Sequence, residues 1–414
     1  MRRVVGGTLA LLLGCGGAAE STADVASEAA SAVSRDSAGI TIREYSEAAW
    51  ASAPSWRLDA EPVVTIDGGD NPEFDLTHAE WLTPVSRGRT VVVTTLPPRV
   101  MLFDSLGAPV RVVATSGEGP GDVRMPSNPL RVGEDSLLLI DATLDRMTIL
   151  SPDGTILEQR PLGGETFAWC EPPLGPLPGN RLITVVQCFG DVREGEPLRP
   201  PAPVLIRDFD LGVVDTAVVL AGGEHAWGLT SPSARKPTGL FLRYGRRQQA
   251  AVWDTMIVTG DGERGFELEV RDPSGQLREI LRVAGPQRPV TEAMRQAWTD
   301  RDLARVERDA EHGGNDPELL AWRARNGPYA DSLPPHGALR PGAGGLLWVV
   351  DAETLADTSW AATAFARDGR IVGRLVGPRA GRPMWFGADR VIVREVDGDG
   401  VVRFGVYGVR GSRW

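Results

Sequence analysis

The amino-acid sequence predicts an all-β fold assembled from small antiparallel units, and three observations carry that expectation. Short β-rich runs alternate with turn residues from Ile40 onward. The runs come in recurring sets joined by hairpin-type turns. Glycine and proline are abundant, 49 and 32 of 414 residues, which suits frequent turns and counts against long helices. With 42% apolar and 24% charged residues, the composition is that of a folded chain, not a disordered or collagenous one. A net charge of −11 and a pI near 5.1 argue against phosphate backbones as partners, so no nucleic acid is expected.

The chain begins with Arg2 and Arg3, an apolar run from Val4 to Leu13, and Leu12-Leu13-Gly14-Cys15. The run is too short to span a bilayer but suits the apolar region of an export signal. It resembles a bacterial lipoprotein signal, whose terminal cysteine is acylated and becomes the mature N-terminus. The resemblance implies a signal peptide over 1–14, lipidation at Cys15 and a membrane contact through that lipid. Gly16 following the cysteine, where inner-membrane sorting would show Asp, implies the outer membrane. Residues 15–39 are mostly Ala, Ser, Glu and Asp with almost no large apolar side chain, and read as a flexible tether.

The remaining span, 40–414, holds the repeated units. Arg89 to Thr94, Val100 to Phe103 and Pro109 to Val113 are joined by Leu96-Pro97-Pro98 and Asp104-Ser105-Leu106-Gly107. Ser136 to Ile140, Arg146 to Leu150 and Thr155 to Gln159 repeat that order around Ser151-Pro152-Asp153-Gly154. Further sets end at Leu220, Val283, Val376 and Val406, making six. The last set lacks an outer strand, and Pro62 to Ile66 is a β-run with no partner upstream of the first. Pairing these two would close a ring and remove its exposed edges. The expected fold is therefore a six-bladed β-propeller of four-stranded antiparallel blades, closed by N- and C-terminal strands.

The segment Ser116-Gly117-Glu118-Gly119-Pro120-Gly121-Asp122, with a degenerate copy at Gly68-Gly69-Asp70-Asn71-Pro72-Glu73-Phe74, resembles the inter-blade segment of NHL-like bacterial propellers. Asp122-Val123 stands where that group has Glu-Phe. The three glycines are read as a tight crossing that needs positive φ. They are not read as a phosphate loop, since no helix signal or Lys-Ser pair follows.

A small helical insert is expected at about 289–325. Thr291 opens a first helix, and Asp316 followed by Pro317 opens a second. Its apolar stripe should pack on the propeller rim. Cys170 and Cys188 flank a proline-rich turn, and an exported chain meets oxidising conditions, so a disulfide between them is expected.

Catalytic signals are sparse. The four histidines are His78, His225, His312 and His336; His312 falls in the polar insert and should face solvent. The other three precede or open first strands of units, a placement that would let imidazoles converge at a channel mouth and hold a cation. Their flanks differ, however, and no metal or cofactor is assigned. The acids Asp70, Glu73, Asp122 and Asp141 form no motif, and G-x-S-x-G, H-E-x-x-H and C-x-x-C are absent. The twelve tryptophans, including Trp81, Trp169, Trp227, Trp253, Trp348, Trp360 and Trp385, are spread along the chain and read as packing between blades.

The functional expectation is an envelope-anchored binding scaffold for a protein, peptide or glycan, with no evident catalysis. Its candidate ligand residues are His78, Trp81, His225, Trp227 and His336. The alternative is a metal-dependent hydrolase or lyase of the lactonase-like propeller kind. Cys15→Ala is expected to abolish radiolabelled palmitate incorporation in expressing cells; undiminished labelling would refute the anchor.

Overall fold

The computed structural model describes residues 32–133, 135–162, 170–187, 199–229, 238–285, 287–311, 316–352, 354, 357, 359–378, 381–397 and 400–411. Strands β1 (Val33–Ser37) and β2 (Ile40–Tyr45) form a hairpin; helix α1 (Glu47–Ala51), β3 (Ser55–Leu58) and β4 (Val64–Ile66) follow. An antiparallel sheet then comprises β5 (Ala79–Pro84), β6 (Thr90–Thr95), β7 (Pro98–Phe103) and β8 (Pro109–Ala114). The next holds β9 (Leu130–Val132), β10 (Ser136–Asp141), β11 (Arg146–Leu150) and β12 (Ile156–Pro161). It is followed by β13 (Pro173–Leu177), β14 (Arg181–Val185), β15 (Pro201–Asp208) and β16 (Val213–Ala221).

A separate hairpin, β17 (His225–Leu229) and β18 (Thr238–Phe241), precedes β19 (Gln249–Trp253), β20 (Met256–Gly260), β21 (Phe266–Arg271) and β22 (Leu277–Val283). Helices α2 (Glu292–Glu311) and α3 (Pro317–Asn326) come next. The chain continues as β23 (Leu339–Pro341), β24 (Leu347–Val350), β25 (Ser359–Phe365) and β26 (Ile371–Pro378). It finishes with β27 (Gly381–Phe386), β28 (Arg390–Val396) and β29 (Val402–Arg410).

The sheets follow one another as propeller blades do. β4 pairs antiparallel with β29, Ile66 opposite Phe404 and Val64 opposite Val406, so an early strand completes the last sheet. Apolar clusters join each sheet to the next. Ile66, Ile392 and Phe404 pack on Leu82, Val92 and Met101. Val91 and Leu102 pack on Leu137 and Leu139, and Leu138 and Met147 on Leu182 and Leu211. Ile183 and Val204 meet Val252 and Ile257, Trp253 and Leu268 meet Leu347 and Phe365, and Trp348 and Trp360 meet Phe386 and Val393. The series returns to the sheet where it began.

This stacking explains the sequence texture. Middle strands have neighbours on both faces and are continuously apolar: Val91, Val92 and Val93 are all 0% exposed. Fourth strands such as β8 and β12 lie at the rim and are mostly exposed. Turns between third and fourth strands dock on the preceding sheet. At Gly107 φ is +82°, and a Cβ would collide with the Thr65 carbonyl of β4. Gly275, at φ +85°, would place a Cβ 2.9 Å from the Ala217 backbone of β16. Both positions combine a left-handed backbone with a close approach, so only glycine fits.

Several elements depart from expectation. Val33–Ser37, assigned to the tether by composition, is a strand, because Asp36 and Gly39 turn the chain and β2 offers a partner. β2 in turn lies parallel to β22, covering what would be the open rim edge of that sheet and widening it to six strands. β3 runs parallel to β26 and also touches the end of β29, linking the two last sheets. The β17–β18 hairpin belongs to none of the repeated units.

The insert forms as its caps predict: Asp316 accepts the Glu318 and Leu319 amides, and Thr291 Oγ1 accepts the Met294 amide at 3.3 Å. It is pinned to the segment before β19 by Arg243. That guanidinium donates to the Ala324 and Arg323 carbonyls, to the Tyr329 hydroxyl and to Asp302. Tyr244, Val290 and Leu333 form the apolar seat, with Met294 and Trp298 packed on it. Phe404→Ala is expected to cost about 3–5 kcal/mol in urea melts, because Phe404 is wholly buried where β4 meets β29. Val401→Ala, at 51% exposure, should change stability by no more than about 0.5 kcal/mol; equal effects would contradict the closure.

Candidate ligand-binding site

The residues expected at a channel mouth lie on separate elements. His78 is exposed in the turn before β5, and its carbonyl oxygen accepts the Thr95 amide at 3.0 Å. Trp81 is half-buried beside the apolar cluster of β5–β8 and β10–β11. His225 opens the β17–β18 hairpin and not the first strand of a unit; it is buried, Nδ1 lies 2.6 Å from the Gly223 carbonyl oxygen, and the ring lies against Phe241. Trp227 lies in the same strand, but its side chain falls outside the described residues.

His336 is buried at 5% exposure, Nδ1 is 3.0 Å from the Gly337 carbonyl oxygen, and its ring meets the Phe266 ring edge-on. Among the described residues, no group of three or more His, Cys, Asp or Glu side chains is placed to hold a metal ion. Cys15, Trp169, Cys188 and His312 lie outside the described residues. Cys170 is disulfide-bonded.

The acids and glycines singled out by sequence serve the backbone. The buried Asp141 carboxylate accepts the amides of Arg124, Met125, Thr143 and Leu144, anchoring the crossing from β8 to β9. In the Gly117-x-Gly119-x-Gly121 segment only Gly121 has positive φ. At Gly117 a Cβ would meet the Asp122 carboxylate, which accepts the Gly119 amide at 2.8 Å. Asp70 and Glu73 are exposed, and Asn71 accepts the Glu73 amide so that Phe74 turns inward and is buried. Trp253, Trp348 and Trp360 are core residues, as expected, and Trp385 is half-buried against a core cluster.

A cavity of about 480 Å³ lies elsewhere, between the β19–β22 and β23–β26 sheets. Its walls come from α1, the segment before β19, the β20–β21 turn, the chain after β22, the segment before β23 and the chain after β24. Trp50 and Phe266 form its aromatic side, their rings edge-on at 5.1 Å, and Leu333, Pro334 and Pro335 add apolar surface. His336 stands behind Phe266.

Three of the charges lining this cavity are already matched. Arg246 donates to Glu224, Asp351 is held by Arg374, and Glu263 lies 3.6 Å from Arg199. Glu47 is exposed, and Arg288 donates to the Ala352 carbonyl at 2.7 Å, leaving one acidic and one basic group facing outward. Sequence reasoning missed this site because its walls come from six separate segments with no shared motif.

Burial holds the His336 imidazole below its ordinary pKa, so it is neutral in the folded protein. The unfolded chain therefore binds more protons as pH falls below about 6.5, and stability is lost in that direction. His336→Gln is expected to flatten this acid-side loss in urea melts compared at pH 7.5 and 5.5; an unchanged slope would contradict the assignment.

No protein-family model and no curated protein matches the chain. Similar solved structures include a Bacteroides fragilis protein described only as exported, at TM-score 0.46 and 10% identity, covering 87% of this chain and 99% of its own. A DUF4221-family protein of Bacteroides vulgatus aligns at TM-score 0.49 and 10% identity, covering 87% and 100%. Virginiamycin B lyase of Staphylococcus aureus aligns at TM-score 0.39 and 10% identity, covering 85% and 99%.

Proposed function

We propose that the protein is an exported, lipid-anchored six-bladed propeller that binds a peptide segment of an envelope partner at the cavity beside Trp50. The cavity is the observation that carries this reading. It gathers on the face where the β20–β21 turn and the chain after β24 meet the connection into β23, a surface built by segments free to vary on a rigid frame. Its mixed lining favours a peptide over a glycan. Prolines and half-buried aromatic edges suit side chains, and the opposed charges of Glu47 and Arg288 suit a backbone that carries both kinds of group.

Six blades are supported by the unbroken circuit of apolar clusters and by the β4–β29 pairing. Cys188 is the proposed partner of Cys170, and Cys15 the lipid attachment. Among the described residues no helix is long and apolar enough to cross a membrane.

Peptide-display selection against the purified chain is expected to return ligands whose binding weakens at least about tenfold in Trp50→Ala and Arg288→Gln. Selected ligands that bind both variants like the parent protein would refute the cavity as the site. Chelator-sensitive turnover in a hydrolase panel would instead support the lactonase-like reading.

A further inference from the structure

A second, smaller cavity of about 160 Å³ lies between the first strands of the last two sheets. Ala338, Arg340, Val350, Asp351, Arg382 and Pro383 line it. Arg340 lies on β23 and Arg382 on β27, and Arg382 faces Arg394 of β28 directly in register. Like charges opposite one another on a sheet repel.

The acids nearby do not answer Arg340 and Arg382. Asp351 is held by Arg374, whose Nη1 donates to Oδ1 at 3.2 Å while Nη2 bonds Oδ2. Glu80 acts on Arg394, whose Nε also donates to the Ala79 carbonyl at 3.0 Å. Among the described residues Arg340 and Arg382 have no ion-pair partner, and Arg340 Nε is buried without a hydrogen bond. The contrast is with Arg207 on β15, which is buried against Glu171 with Nε and Nη2 bonded to the carboxylate. Burial together with the Arg382 charge pushes the Arg340 guanidinium down to about 10.

A half-buried guanidinium whose Nε is cut off from water and without a counter-charge is costly, and a second positive charge beside it raises the cost. An oxyanion in the cavity would answer both, since a carboxylate or phosphate group offers oxygens at the spacing of the guanidinium fork. We propose that Arg340 and Arg382 form a binding site for a small-molecule oxyanion, carboxylate or phosphate in chemistry, at the loop-side mouth between the last two sheets. The site is separate from the Trp50 cavity and does not depend on a peptide binding there. Its residues had a sequence signal that went unused: Leu339-Arg340-Pro341 and Gly381-Arg382-Pro383 repeat an Arg-Pro pair in the first strands of consecutive units.

The test titrates inorganic phosphate and, separately, acetate into the full purified chain, with chloride at matched ionic strength as reference. Thermal melting and calorimetry are the readouts. At least one oxyanion is expected to raise Tm above the chloride reference and to release binding heat, with affinity at least about tenfold weaker in Arg340→Gln. The arm that responds identifies the ligand as phosphate-like or carboxylate-like. Arg370→Gln, at an exposed side chain paired with Asp368, should bind like the parent. If Arg340→Gln does not fold, Arg382→Gln serves in its place, being at an exposed position. No oxyanion effect beyond chloride, or an effect kept in the folded arginine variant, would overturn the proposal.

Discussion

The antiparallel pairing of Val64–Ile66 with Val402–Arg410 is the contact on which the rest of the molecule depends. It is short, yet it joins residues from near the two ends of the described chain and buries Ile66 and Phe404 against the β5–β8 sheet. Without it, β29 and the β5–β8 sheet would each present an open apolar surface to water. With it, each of the sheets joined by the apolar clusters has a neighbour on both sides, and their middle strands need no polar face. The two cavities follow from this frame, because each lies in a wedge between adjacent sheets whose spacing the closed circuit holds.

Electrostatics refine that picture. An acidic chain of net charge −11 still buries arginines, and most of those described are met by carboxylates or carbonyls. Glu171 and Arg207 show the usual solution: a bidentate pair, with Thr184 adding a further bond to the carboxylate. Such pairs are weak evidence for stability but strong evidence that unmatched charge is avoided. Against that background, Arg340 and Arg382 stand out by chemistry alone. The Asp351–Arg374 pair sits between the two cavities, lining both with its carboxylate.

Much of the fold was legible from residue order. Turn glycines, paired β-runs and the unpartnered Pro62 to Ile66 announced strands, hairpins and the closing contact, since all three are local patterns with one geometric solution. Asp316-Pro317 announced a helix for the same reason. Strand β1 was not legible: its side chains are exposed, so nothing in its composition betrays the partner that orders it. Strand β3 was not legible for another reason: Trp56 on it is buried, but the strand is short and its order comes from β26 and β29. The histidines were legible only as positions, because proximity to a strand start says nothing about which way an imidazole points or how far it lies from the others.

Local sequence determined the β-rich character, the turn positions, the helix caps and the likeness to an export signal, because backbone dihedrals and short-range hydrogen bonds are set by neighbours along the chain. Tertiary structure decided which side chains share a wedge. Trp50 and Phe266 are more than two hundred residues apart, and Arg340 and Arg382 meet only because successive sheets stand side by side. Burial and charge matching are sums over all neighbours in space, and those neighbours exist only once the ring has closed.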